Sequence, residues 1–172
     1  MMADATDSRP PVTGNHLIRA RLVNSRQEIR LVRVLGLPTQ RNAAVSIVMT
    51  TVPLKDRPEY DALFYAWGNP RPTHIATVNG LLNLPIAQNL YTAVCALGKP
   101  GVLPRPLWID AFCINQQDLT ERSEQVAIMG KIYRGATNVR VWLGSPGPHT
   151  EVTMQKLIVE HGDSLRGMLS VW

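Results

Sequence analysis

"PLWIDAFCINQQDLTERSEQVAIMGKIYRGATNVRVWLG", residues 106–144, decides the fold. It opens on an apolar run, Leu107-Trp108-Ile109, that stops at Asp110. A polar segment follows, with Cys113, Asn115, Gln116, Gln117 and Asp118. The spacing then predicts a helix from about Asp118 to Ala136, with Val126, Met129, Ile132, Tyr133 and Ala136 as its apolar face. "NVRVWLG", 138–144, reads as a second strand. Strand, helix and strand in this order make a βαβ unit, which favours parallel strands and a right-handed crossover.

Upstream, "YDALFYAWG" (60–68) is another short apolar strand, closed by the turn "NPRP". Runs this short and apolar fit strands covered on both faces. "HIATVNGLLNL" (74–84) reads as a hairpin with Asn79-Gly80 at its tip, the dipeptide that a type I′ turn demands. Pro85 is expected to begin a helix whose face is Ile86, Leu90, Val94 and Leu97. Further back, "IRLVRVL" (29–35) and "AAVSIVMTTV" (43–52) form an N-terminal β-hairpin beside the α/β core. After 144, "EVTMQKLIVEH" reads as a last helix capped by Thr150. The expected organisation is a disordered tail over 1–15, one domain over 16–146, and a C-terminal helical segment over 147–172 of a chain that looks cut from something longer.

The chain has 172 residues, enough for one domain with a real core. Its net charge is +5. Residues 1–60 carry 9 Lys and Arg against 5 Asp and Glu, so the excess is N-terminal. Arg19, Arg21, Arg26, Arg30 and Arg33 are set either as a nucleic-acid surface or as a solvated strand face, and the solvated face is the reading taken. The 2 cysteines, Cys95 and Cys113, have no zinc-ligand spacing and no partners for a disulfide framework, which points to a reducing, cytoplasmic compartment and to no metal. No run is long and apolar enough to span a membrane, and the N-terminus lacks a secretory signal.

Three expected parallel strands end alike, at Tyr65-Ala66-Trp67-Gly68, Trp108-Ile109-Asp110 and Trp142-Leu143-Gly144. Ligands of open α/β sheets sit beyond the carboxyl ends of strands, so these tips define a candidate crevice. Two readings are open for Asp110: it fixes the shape of its own loop by accepting backbone N–H groups, or it meets a ligand hydroxyl or acts as a base. Cys113 is either a buried small hydrophobe or a nucleophile, and the latter predicts fast labelling by thiol reagents. Asp118 and Glu121 have the spacing of a capping box, with Glu121 reaching back to the helix start. Gln125, one turn on, is placed to join Glu121 in a polar cluster, and Asn115 and Gln116 to hold an irregular loop.

"YDALFYAWGNP", "VNGLLNLPIAQNL" and "LWIDAFCINQQDLTERSEQVAIMGKIYRGATNVRVWLG" together resemble the fungal heterokaryon incompatibility (HET) domain. The resemblance runs from about Ile29 to Gly144. Two positions depart from the family pattern. Phe64 stands where the family usually has Ser, so a hydroxyl is absent here, and Phe112 stands where an aliphatic residue is usual. The resemblance implies a domain for non-self recognition between fungal cells that triggers growth arrest or programmed cell death, acting through protein partners and self-association. HET domains are in turn similar to Toll/interleukin-1 receptor (TIR) domains. That implies a flavodoxin/TIR-like three-layer sandwich around a mostly parallel sheet. Some TIR domains cleave NAD with a glutamate after the third strand. Glu151 and Glu160 follow "VWLG", but neither lies in a matching motif. No cofactor is implied. As an alternative, NAD becomes a substrate, with Asp110, Glu121 and Glu151 as the carboxylates available to glycosidic cleavage.

Overall fold

The computed structural model describes residues 22–38, 43–98 and 105–144. The expected tail, the last helix and Glu151 lie outside the described residues.

Seven strands form one sheet, in the order β5-β4-β2-β1-β6-β3-β7. The β-branched run after Ser25 becomes β1 (Glu28–Gly36), and the second becomes β2 (Val45–Pro53). They pair antiparallel along their length, from Glu28↔Pro53 to Gly36↔Ser46, with an irregularity between Val34 and Gly36. A 3₁₀ turn, Leu54–Asp56, leads towards β3 (Asp61–Tyr65). β4 (Pro72–Val78) and β5 (Leu82–Ala87) make the expected hairpin. Asn79 and Gly80 both take positive φ, 53° and 71°, as a type I′ turn needs.

Helix α1 (Gln88–Leu97) follows β5 directly. It starts three residues later than Pro85 suggested, because the ladder to β4 captures Ile75↔Pro85 and His74↔Ile86. Pro85 is tolerated there because β5 is an edge strand. β6 (Leu107–Trp108) leads into one helical turn, α2 (Asp110–Cys113), where the sequence promised an irregular loop. Then come α3 (Leu119–Gly135) and β7 (Asn138–Trp142).

β6, β3 and β7 lie side by side and run the same way, so the three tryptophan-bearing strands do share one end of the sheet. The sheet as a whole is mixed rather than mostly parallel. β3 is parallel to β6 and β7, and β2 to β4, while β1–β2, β1–β6 and β4–β5 are antiparallel. Nor is the N-terminal hairpin an addition beside the core. It occupies the middle of the sheet, where β1 joins β6 through Val32↔Leu107 and β2 joins β4 through Val45↔Ala76.

Burial explains the layers. Ile29, Arg30, Leu31 and Val32 are all buried, as are Asp61, Ala62 and Leu63, so the first halves of β1 and β3 are covered on both faces, while Leu35 and Phe64 further on are exposed. From Thr73 in β4 and along β5, every second residue is buried, with His74, Ala76, Val78, Leu84 and Ile86 inward and the residues between them exposed or half-buried. α1 covers β2, β4 and β5. α3 packs against β3 and β6, where the Tyr60 hydroxyl donates to the Ile132 carbonyl at 2.5 Å and Tyr133 meets Trp108 edge-on. Val126 is exposed, against expectation. The inward side of the first half of α3 carries Glu121 and Gln125, four residues apart, and only its second half buries Ile132.

Candidate functional site

At the carboxyl ends of β3 and β6 lies a cleft of about 210 Å³. Tyr65 and Trp67 form one wall, with Pro70 and Pro72 beside them. Leu84 to Ala87 of β5 and Leu90 of α1 form another, and Ala111, Gln116 and Gln117 close the third. The walls are apolar with a few amides, the composition common to ligand clefts.

Of the residues assigned to the crevice from sequence, Tyr65, Trp67 and Gln116 line it. Tyr65 and Trp67 stack with centroids 6.5 Å apart. Burial, and then the charges of Asp110 and Tyr133, push the Tyr65 hydroxyl far above its ordinary pKa, so it stays a neutral donor. Gln116 turns its amide to the Asp110 carbonyl at 3.4 Å. Gly68 takes φ +62°, where a Cβ would meet Asn89 at 3.8 Å, and Gly144 takes φ +110° with open space around it. Neither glycine lines the cleft. Trp108 and Cys113 are fully buried in the core, and Trp142 nearly so.

Asp110 sits beside the cleft wall. Its Oδ2 accepts from Trp67 Nε1 at 2.9 Å and its Oδ1 from the Ala111 N–H at 2.7 Å. Burial raises its pKa above the ordinary 3.8, and those two hydrogen bonds oppose the rise. So Asp110 does fasten its own loop, through one backbone amide and an indole.

Glu121 belongs to a different network. Asp118 caps α3 as expected, accepting from Thr120 and Glu121 amides, each at 3.0 Å. Glu121 does not reach back to the Asp118 amide, which donates instead to the Asn115 carbonyl. Its carboxylate turns inward. Arg30 forks onto it, Nη1 to Oε1 at 2.6 Å and Nη2 to Oε2 at 2.8 Å, and the Asn115 N–H donates to Oε1 at 2.7 Å. Arg30 is thus no solvated strand residue: it is 1% exposed, while Arg33 is exposed as expected. The same Nη1 donates to the Cys113 carbonyl at 2.8 Å.

Gln125 is buried beside this network, its Nε2 donating to the Ser25 and Glu28 carbonyls at 2.6 and 2.9 Å. Asn115 is buried too, its Oδ1 accepting from the Gln117 N–H at 3.3 Å. Asp110 and Glu121 therefore face different partners and do not form a carboxylate pair. Cys113 Sγ accepts from the Ile109 N–H at 3.4 Å, inside the core.

Two contributors were not legible in the sequence. Arg30 carried no local signal, since its partner lies 91 positions away. Asn89 accepts from Trp142 Nε1 at 3.2 Å and donates to the Ala66 carbonyl, tying α1 to the ends of β7 and β3. Among the described residues no helix is long and apolar enough to cross a membrane, and no cluster of three His, Cys, Asp or Glu is placed to hold a metal ion.

The sequence model of the heterokaryon incompatibility protein family matches residues 60–168. Heterokaryon incompatibility protein 6, OR allele, of Neurospora crassa is 39% identical over 105 residues, covering 55% of this chain and 15% of that protein. The chain thus spans a small part of that relative's length. No solved structure matches.

Proposed function

The chain belongs to the heterokaryon incompatibility (HET) family, and on that premise we propose that it serves non-self recognition and cell-death signalling by contact with proteins, including copies of itself. The kinship with TIR domains is part of this proposal. The observation that carries it is the state of Glu121. Its two oxygens are taken by Arg30 and the Asn115 amide, so the motif's central acid shapes the polar segment from inside. Outside that segment, β3 and its exit expose Phe64 at 56% and Trp67 at 44%, and Trp67 lines the cleft that the segment closes. Half-exposed aromatics edged by amides are the composition of contact sites. Sedimentation and light scattering of the purified chain over a range of concentrations test this. Association weakened by Trp67→Ala is expected. A monomer at every concentration, with no growth arrest on expression in a fungal host, overturns it.

One observation favours a second reading, hydrolysis of NAD. Asp110 has a raised pKa and stands against Trp67 at the cleft. A carboxylate so placed suits the addition of water to the ribose carbon as nicotinamide leaves. Nicotinamide release that disappears with Asp110→Ala supports it. Absence of release removes it.

A further inference from the structure

One buried cation links the cleft to a strand outside the family match. Arg30 lies in β1, and the match begins at residue 60. Its guanidinium spans two elements, holding both carboxylate oxygens of Glu121 in the first turn of α3 and the Cys113 carbonyl at the end of α2. Glu121 in turn holds the Asn115 amide. The chain from Ile114 to Asp118 is thereby pinned at both ends, and Gln116 and Gln117 within it form the polar wall of the cleft.

We propose that Arg30 is the positioning residue of this wall, and that the contact surface is assembled only when β1 is in place. This rests on the contact-surface reading above. A planar fork with several fixed donors is required, because three acceptors on two elements must be met at once. A lysine ammonium is a point charge and cannot reproduce that geometry.

The test uses the full chain carrying Arg30→Met together with Glu121→Gln. This pair leaves no lone buried charge and keeps an oxygen for the Asn115 amide. Arg30→Lys serves as the second variant should the first fail to fold. Hydrogen exchange is read at the Ile114 and Asp118 amides, which donate to the Asp110 and Asn115 carbonyls and touch neither altered side chain. Amides of β3 report global opening. The proposal expects exchange at Ile114 and Asp118 to accelerate about ten-fold more than in β3, the size of one lost charge-assisted hydrogen bond. Equal acceleration at both places overturns it, and makes Arg30 only an ion pair of the core. Light scattering on the same samples separates the two readings. A loosened wall with weakened self-association supports both. A loosened wall with unchanged association leaves Arg30 its positioning role and sinks the contact surface.

Discussion

Replacing Glu121 by alanine tests the inner network most directly. The substitution leaves the Arg30 guanidinium 1% exposed with its carboxylate gone. Two charge-assisted bonds, at 2.6 and 2.8 Å, disappear together, and the buried Asn115 amide loses its acceptor. Removing one partner of a buried ion pair costs about 3–5 kcal/mol, chiefly because the other charge stays desolvated. For a chain of this size that corresponds to a fall in Tm of roughly 6–20 °C. Urea denaturation followed by tryptophan fluorescence measures the change. Arg30→Met combined with Glu121→Leu removes both charges and is expected to recover most of the loss, since an apolar pair of similar volume is often no worse than the ions. A Glu121→Ala cost no greater than about 1 kcal/mol, the size of an exposed pair, would falsify the reasoning. It would mean that water reaches the guanidinium.

Asp110 carries a pH dependence of definite sign. Its folded pKa is raised, so its contribution to stability is complete below the ordinary 3.8 and is lost as pH rises through the folded value. The Trp67 indole N–H, bonded to this carboxylate, should titrate with a midpoint above 3.8, and a midpoint at or below it contradicts the burial. Gly98→Ala would place a Cβ 2.7 Å from Val34 Cγ1, 2.8 Å from Leu37 Cδ2 and 2.9 Å from the Val94 carbonyl oxygen. Overpacking of this kind costs about 1–3 kcal/mol, measured by the same urea titration, and an unchanged midpoint refutes the close approach of α1 to β1. In the native protein Cys113 should resist thiol reagents until unfolding, because its side chain is fully buried. Labelling of native Cys113 as fast as a free thiol restores the nucleophile reading.

Elements with a local cause were legible in the sequence. Asn79-Gly80 announced its hairpin through backbone sterics alone, and Asp118 announced the start of α3 through its cap. The parallel β6-β3-β7 trio followed from alternation of strand and helix. Pairings between distant segments were not legible. Nothing within Glu28–Gly36 says that it lies between β2 and β6, because apolar content states that a strand is buried but not beside what. Arg30 misled for the same reason. A charged residue in an apolar run reads as solvent-facing until its counter-charge is known, and that counter-charge looked fully employed as a cap. The cleft was half legible. Tyr65, Trp67 and Gln116 belong to it, whereas the β5 wall with Pro85 and Ile86 was hidden by assigning those two residues to a helix.

The central seat of β1 and β2 has a consequence for synthesis. The ribosome completes this hairpin before β4 or β6 exists, yet those are the strands it must bond on either flank. The nascent ribbon therefore waits with both edges bare, and closure on the β6 side comes last, through a contact 75 positions apart in the chain, Val32 with Leu107. Long-range closures of this kind are slow. Bare edges in the interval invite pairing with other chains. Yield on overexpression should thus depend on how fast the second half of the molecule is delivered to the first.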